Sequence, residues 1–213
     1  LTEALSSGAC VLEELDVGGC GLGGAEAAAL VQAGGMLQSL TLGEWAIPVG
    51  GLRSGEVAEV VAAGMALTDG EGGVVGALLR SSGGVMRVDL SGSTCSAECL
   101  RLIGEGLGAS ASPVAEVLLA GMKGAKAPEL LPAVCRQVSR EGSRVRVLRM
   151  GGNGAWGEGA SASLVEALQS PSCVIEELDV GGCGLGGAET AALVQAGGRL
   201  QSLTLGEWAI PVG

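Results

Sequence analysis

The strongest hint of chemistry in the chain is "GCGLGG", which places Gly19, Gly21 and Gly24 in a G-x-G-x-x-G spacing. It follows the strand-like "EELDV" and opens a helix-like stretch, and Glu44 stands beyond it where an acidic ribose ligand would be sought. A dinucleotide-binding turn needs that context, because glycines let the backbone approach a pyrophosphate seated on the helix N-terminus. The spacing recurs at Gly182, Gly184 and Gly187. Against a nucleotide site, Leu15 and Leu40 mark strands set closer together than a βαβ unit needs. Equivalent turns such as "SGSTCS" and "AGMKGA" also lose the glycines while keeping the apolar spacing.

Other candidate groups are sparse. Cys95 and Cys99 could share a helix face at i and i+4 and hold a metal, but no further ligand cluster accompanies them and Cys95 fills an apolar slot. "DGEGG" at 69–73 lacks the remaining ligands of a calcium loop and reads as a solvated helix start. Glu13-Glu14 and Glu176-Glu177 are strand neighbours pointing to opposite sides, poor geometry for acid–base work. Trp45 and Trp208 occupy a turn slot, where burial is favoured over partner anchoring by the apolar spacing. The chain has no His, which removes His-dependent nucleophiles and imidazole metal sites. These observations predict no enzyme activity, no cofactor and no metal centre.

The elements that carry these groups are repetitive. Aligning residues 1–50 with 164–213 gives 43 identical pairs of 50, the exceptions including Leu12 against Ile175, Ala27 against Thr190 and Met36 against Arg199. "GEWAIPVG" at 43–50 thus returns unchanged at 206–213. Inside this long period a shorter one appears as Leu12-x-x-Leu15-x-Val17-x-x-Cys20-x-Leu22. From Leu15 its core recurs at Leu40, Val60, Val88, Val117, Leu148, Leu178 and Leu203. Six short steps lead from Leu15 to Leu178, its counterpart in the second copy, so the long module is a set of six short units.

Each unit reads as strand, turn, helix and return. Alternation of Leu15 and Val17 turns one strand face inward, and "AEAAALVQA" is helical in propensity. Thr68-x-x-Glu71 predicts a capping box, and Gly34-Gly35 and Gly83-Gly84 end helices. The unit carrying "GEWAIPVG", from Leu40 to Val60, is the shortest. It is predicted to be free of helix, with Pro48 and Gly50-Gly51 making an extended return.

With these motifs the chain resembles the leucine-rich repeat family, most closely its ribonuclease-inhibitor-like class, shared with NOD-like receptor repeats. "SPSCVIEELDVGGCGLGGAETAALVQA" at 170–196 carries the Cys-type turn and helix of that class. The resemblance implies an α/β leucine-rich repeat solenoid, a curved horseshoe of about eight rungs with parallel strands on the concave face and helices on the convex face. It implies one solenoid over 1–213 acting as a non-enzymatic protein–protein interaction scaffold. The sequence departs from the family in having one Asn and few aromatics.

Composition fits thin stacked layers. Hydrophobic residues make up 47% of the 213 residues but aromatics only 1%, with 40 Gly, so the core must be aliphatic. The net charge of −11 argues against nucleic acid and anionic membranes as partners. No apolar run is long enough for a membrane span. Seven Cys without paired spacing predict reduced thiols in an intracellular, cytoplasmic protein. The start "LTEAL", without Met or a signal-peptide layout, and the lack of polar caps predict a fragment of a longer array or ends covered by neighbours.

Concave-face positions predicted to meet a partner are Glu14, Asp16, Arg87, Asp89, Glu116, Arg149, Glu177 and Asp179, with Ser39, Thr41, Leu118, Ser202 and Thr204 beside them. The partner expected is a protein. A structural spacer that propagates end to end by self-association is the alternative, and a nucleotide-binding enzyme using the glycine turns is a third reading.

Overall fold

The structure, a computed structural model, describes residues 1–109, 112–123, 134–135, 139–156, 158–206 and 209–211. Short strands alternate with helices along the chain. The strands are β1 (Glu14–Asp16), β2 (Ser39–Thr41), β3 (Ala46–Ile47), β4 (Glu59–Val61), β5 (Ala66–Leu67) and β6 (Arg87–Asp89). They continue as β7 (Thr94–Cys95), β8 (Glu116–Leu118), β9 (Val147–Arg149), β10 (Glu177–Asp179), β11 (Ser202–Thr204) and β12 (Ala209–Pro211). The helices are α1 (Thr2–Leu5), α2 (Gly24–Ala33), α3 (Val49–Ser54), α4 (Asp69–Ser81), α5 (Ala97–Leu107), α6 (Glu158–Gln169) and α7 (Gly187–Ala196).

Strands β4, β6, β8, β9, β10 and β11 lie side by side in parallel, in chain order, and β12 closes the sheet antiparallel against β11. The register aligns Val60, Val88, Val117, Leu148, Leu178 and Leu203, all almost fully buried. Two residues on, Ala62, Leu90, Leu119, Met150 and Val180 form a second buried row. The period-2 pattern therefore does what it predicts: alternate side chains build one aliphatic spine while their neighbours face outward.

An unbroken run of parallel strands does not form. β1 pairs with β2 in parallel, Leu15 opposite Leu40, but β2 then pairs antiparallel with β3, Leu40 opposite Ile47. Ala46 and Ile47 of "GEWAIPVG" thus form the return arm of a hairpin, and the segment separates a three-stranded sheet from the seven-stranded one. In its second occurrence the described residues Ala209–Pro211 pair likewise, with Leu203 opposite Ile210. The stretch from Leu40 to Val60 leaves no room for a full unit, and the backbone that would have met β4 is satisfied locally.

The expectation of a helix-free unit is also corrected. Residues Val49–Ser54 form α3, started by Pro48 and ended by Gly55 in the left-handed region at φ 82°. Proline pre-sets the helical φ at the start of a helix, and Val49 and Leu52, both fully buried, hold the turn against the core.

Helix packing depends on glycine. Helix α4 is buried on nearly all sides between α2 and α5. A Cβ on Gly73 would stand 2.1 Å from the Gly24 carbonyl oxygen, and one on Gly76 would stand 2.3 Å from that of Leu102. The backbones are in direct contact there, closer than side-chain packing permits. The predicted capping box starts α4: Glu71 N donates to Thr68 Oγ1 at 3.2 Å, and Thr68 N donates to Glu71 Oε2 at 2.7 Å. Among the described residues, no helix is long and apolar enough to cross a membrane.

Candidate functional site: the outward face of the strands

The outward side chains of the parallel strands form two rows. The first row of the large sheet runs Glu59, Arg87, Glu116, Val147, Glu177 and Ser202. The second runs Val61, Asp89, Leu118, Arg149, Asp179 and Thr204. Six of the eight predicted site residues, Arg87, Asp89, Glu116, Arg149, Glu177 and Asp179, share this sheet. Glu14 and Asp16 are exposed on the separate three-stranded sheet, opposite Ser39 and Thr41. Leu118, predicted to face outward, holds that register position but is buried, at 8% exposure. Glu59, absent from the predicted set, belongs to the site, and the signal for it was its position just before Val60.

Arg87 is the electrostatic centre of the first row. Its Nη1 donates to Glu59 Oε2 at 3.4 Å and its Nη2 to Asp89 Oδ2 at 3.2 Å, while Nε lies 3.8 Å from Glu116 Oε2. One cation thus serves three carboxylates from three strands. A second pair joins Arg149 to Glu177 at 3.9 Å. Around it Arg149, Glu177, Leu178, Asp179, Ser202 and Thr204 line a depression of about 260 Å³. These groups are half-exposed or exposed, so each ion pair contributes little. Arg87→Ala is expected to cost at most about 1 kcal/mol in chemical denaturation, with the difference shrinking at about 1 M salt.

The aspartates have a second role. Asp16, Asp89 and Asp179 each accept a backbone N–H two residues on, at 2.8, 3.0 and 2.9 Å from Gly18, Ser91 and Gly181. They brace the turn after the strand, as short polar side chains do.

The glycine turn is filled by the chain itself. Gly19 and Gly21 have φ of 73° and 64°, a left-handed bend that favours glycine. The backbone N–H at the start of α2, Gly23 N, gives its hydrogen to Glu26 Oε2 at 2.7 Å. Glu26 thus reaches back to cap its own helix and places a carboxylate at the helix N-terminus. Gly24 faces Leu102 and the Asp69 carbonyl, so its lack of a side chain serves helix packing.

Cys95 and Cys99 are not on one helical face, because Cys95 ends β7 and Cys99 lies in α5, with Ser96 capping the helix between them. Interaction between the two neighbouring thiols lowers the Cys95 pKa and, together with burial, raises that of Cys99. Among the described residues, no group of three or more Cys, Asp or Glu is arranged to hold a metal ion. In "DGEGG", Asp69 accepts from Ser96 Oγ and Glu71 turns back to Thr68, both as cap partners. Trp45 is half-buried against the core, and Trp208 lies outside the described residues.

The duplicated segment offers an internal comparison. Cys183 is buried, and burial raises its pKa, whereas its counterpart Cys20 is exposed. Alkylation by iodoacetamide at mildly alkaline pH is expected to be at least about tenfold faster at Cys20, read by mass spectrometry of the two distinguishable peptides.

Taken as a class, this is a mixed α/β protein with a mainly parallel sheet, helices packed beside it, and a charged outward strand face. No family model matches the chain, and no curated protein matches it. Among solved structures, the tropomodulin C-terminal domain of Caenorhabditis elegans is similar at a TM-score of 0.46 and 11% identity, over 93% of this chain and 89% of that one.

Proposed function

We propose that the chain is a leucine-rich repeat scaffold of the ribonuclease-inhibitor-like class, built as a solenoid, that binds a protein partner without catalysing a reaction. The observation that carries this reading is the pair of register-aligned rows on the outward strand face. Rigid short strands hold Arg87, Asp89, Glu116, Arg149, Glu177 and Asp179 in a fixed charge pattern. Preorganised charge on a rigid surface selects partners and orients their approach more than it adds affinity. The depression around Arg149 supplies a concave point on that face.

The test is retention of a discrete partner by the immobilised chain, compared with a variant carrying Arg87→Glu and Arg149→Glu. The reading expects the partner to be held by the parent chain and lost by the variant, with both proteins folded by circular dichroism. Equal retention by both would overturn it. A structural spacer is the second reading, favoured by the duplication of 1–50 at 164–213. It expects end-to-end association that grows with concentration in sedimentation and survives both charge reversals.

A further inference from the structure

Charge is not spread evenly along the chain. Residues 120–149 hold seven of the 12 Lys and Arg but two of the 23 Asp and Glu, a net of +5, which leaves −16 for the rest. Lys123, Arg140, Arg144, Arg146 and Arg149 of this stretch are among the described residues. Net negative charge already keeps copies of the chain apart, so solubility does not call for a basic unit. Arg149 belongs to the outward strand face. Arg144 and Arg146 stand just before β9, on the rim where the chain enters the sheet.

That rim is rigid, because the backbone ladder continues past the ends of the strands. Met86 N donates to the Ala58 carbonyl, Ala115 N to that of Met86 and Arg146 N to that of Ala115. Glu176 N then donates to the Arg146 carbonyl and Gln201 N to that of Glu176, every bond at 2.7 or 2.8 Å. Two residues earlier, Arg144, Val174 and Arg199 stand on the approaches to the neighbouring strands β9, β10 and β11. Arg144 is exposed and makes no ion pair or side-chain hydrogen bond among the described residues. Arg146 lies 3.6 Å from Glu176 with its side chain 64% exposed, a weak pair that a better acceptor can replace. Arg199 Nη1 donates to the Cys173 carbonyl at 2.8 Å, which holds its guanidinium against the segment entering β10. These two rows, from β9 to β11, thus carry three guanidiniums and one carboxylate. On the approaches to β6 and β8 they carry Gly84, Met86, Pro113 and Ala115, without charge, and Met86 is 47% exposed.

The geometry points to this rim, from Met86 to Arg199, as an interaction surface for an extended acidic segment of a partner polypeptide. Carboxylates of the segment meet Arg144, Arg146 and Arg199, and an apolar side chain lies on Met86. Charge complementarity selects the occupant: Arg144 offers an unused fork of donors that matches a carboxylate in a bidentate pair. The four inter-strand steps from β6 to β11 span about 19 Å, the length of roughly six extended residues. A short acidic segment fits within that span. A nucleic acid does not, because its charge continues along its length and would come within a Debye length, about 10 Å, of the acidic surface around the rim. This inference goes beyond the scaffold reading, since it concerns the rim before the strands and not their outward face.

The test uses the whole chain and a rhodamine-labelled octapeptide of alternating Glu and Leu, read by fluorescence anisotropy at about 50 mM salt. Saturable binding is expected even though the chain carries a net charge of −11. Arg144→Glu should weaken it at least about tenfold, with the circular dichroism spectrum unchanged. Arg87→Glu makes the same change in net charge on the outward face and should leave the affinity within about twofold. Met86→Ser should weaken binding at least about threefold. No saturable binding, or equal weakening by Arg144→Glu and Arg87→Glu, would overturn the proposal. Unchanged affinity in Met86→Ser would overturn the extension of the surface to β6. Tighter binding of a rhodamine-labelled oligothymidylate of equal charge would overturn the choice of a polypeptide. Dimerisation of the chain alone, lost in Arg144→Glu, would overturn the choice of a separate partner and make the occupant a second copy. Arg87→Glu removes the centre of the outward charge pattern, so failure here and failure of the scaffold reading are separable.

Discussion

Gly73→Ala should destabilise the protein by about 3 kcal/mol, against the direction that helix propensity dictates. Alanine in place of glycine within a helix ordinarily stabilises by up to about 1 kcal/mol. Here the added Cβ would stand 2.1 Å from the Gly24 carbonyl oxygen and 2.6 Å from its Cα, so two backbones must separate. Overpacking of this kind costs about 1–3 kcal/mol or more, because no flexible side-chain tip can move aside. Urea denaturation with a two-state fit measures it. The duplicated segment supplies the control. Gly24→Ala meets Leu102 and the Asp69 carbonyl and should also destabilise, whereas Gly187→Ala, at the matching position of the second copy, meets nothing within 4 Å and should be neutral or slightly stabilising. Equal effects at Gly24 and Gly187 would show that α2 and α4 do not touch as described.

Asn153→Ala is the second large effect, an expected loss of at least about 3 kcal/mol. Asn153 is the chain's single asparagine and is 7% exposed. Its Oδ1 accepts from Met122 N at 2.7 Å, and its Nδ2 donates to the carbonyls of Leu119 and Met150 at 2.8 and 2.7 Å. One side chain thus ties the turns of two successive units together. Alanine leaves the Met122 N–H and the Leu119 carbonyl buried without that partner, at about 1–3 kcal/mol each. In thermal unfolding this corresponds to a drop of roughly 10 °C for a domain of this size. Asn153→Cys should recover part of the loss, because Cys183 at the equivalent position donates its thiol to the Met150 carbonyl. A melting temperature unchanged by Asn153→Ala would mean that the amide does not bridge the units.

The period-2 and long-period patterns are legible along the chain because each depends on near neighbours. Leu15 against Leu40, Val88 against Val117 and Leu148 against Leu178 pair as their spacing demands. Thr68 and Glu71 cap their helix as a four-residue pattern predicts. The hairpin at "GEWAIPVG" is not legible, because pairing of Leu40 with Ile47 or with Val60 is a competition between two partners of similar apolar character. Pro48 suits an extended return and a helix start alike, and burial of Val49 and Leu52 selects the helix α3. For the outward face, alternation locates Arg87, Asp89, Glu116, Arg149, Glu177 and Asp179, but their ion pairs depend on strand register.

The aliphatic spine, the repeat length and the turn chemistry follow from the order of residues alone, since they rest on alternation and on glycine's access to positive φ. The break between the two sheets, the backbone contact of α2 with α4 and the contrast between Cys20 and Cys183 do not. Identical stretches end in unlike surroundings because burial is set by neighbours distant in the chain, and a local pattern carries no information about which of its faces will be covered.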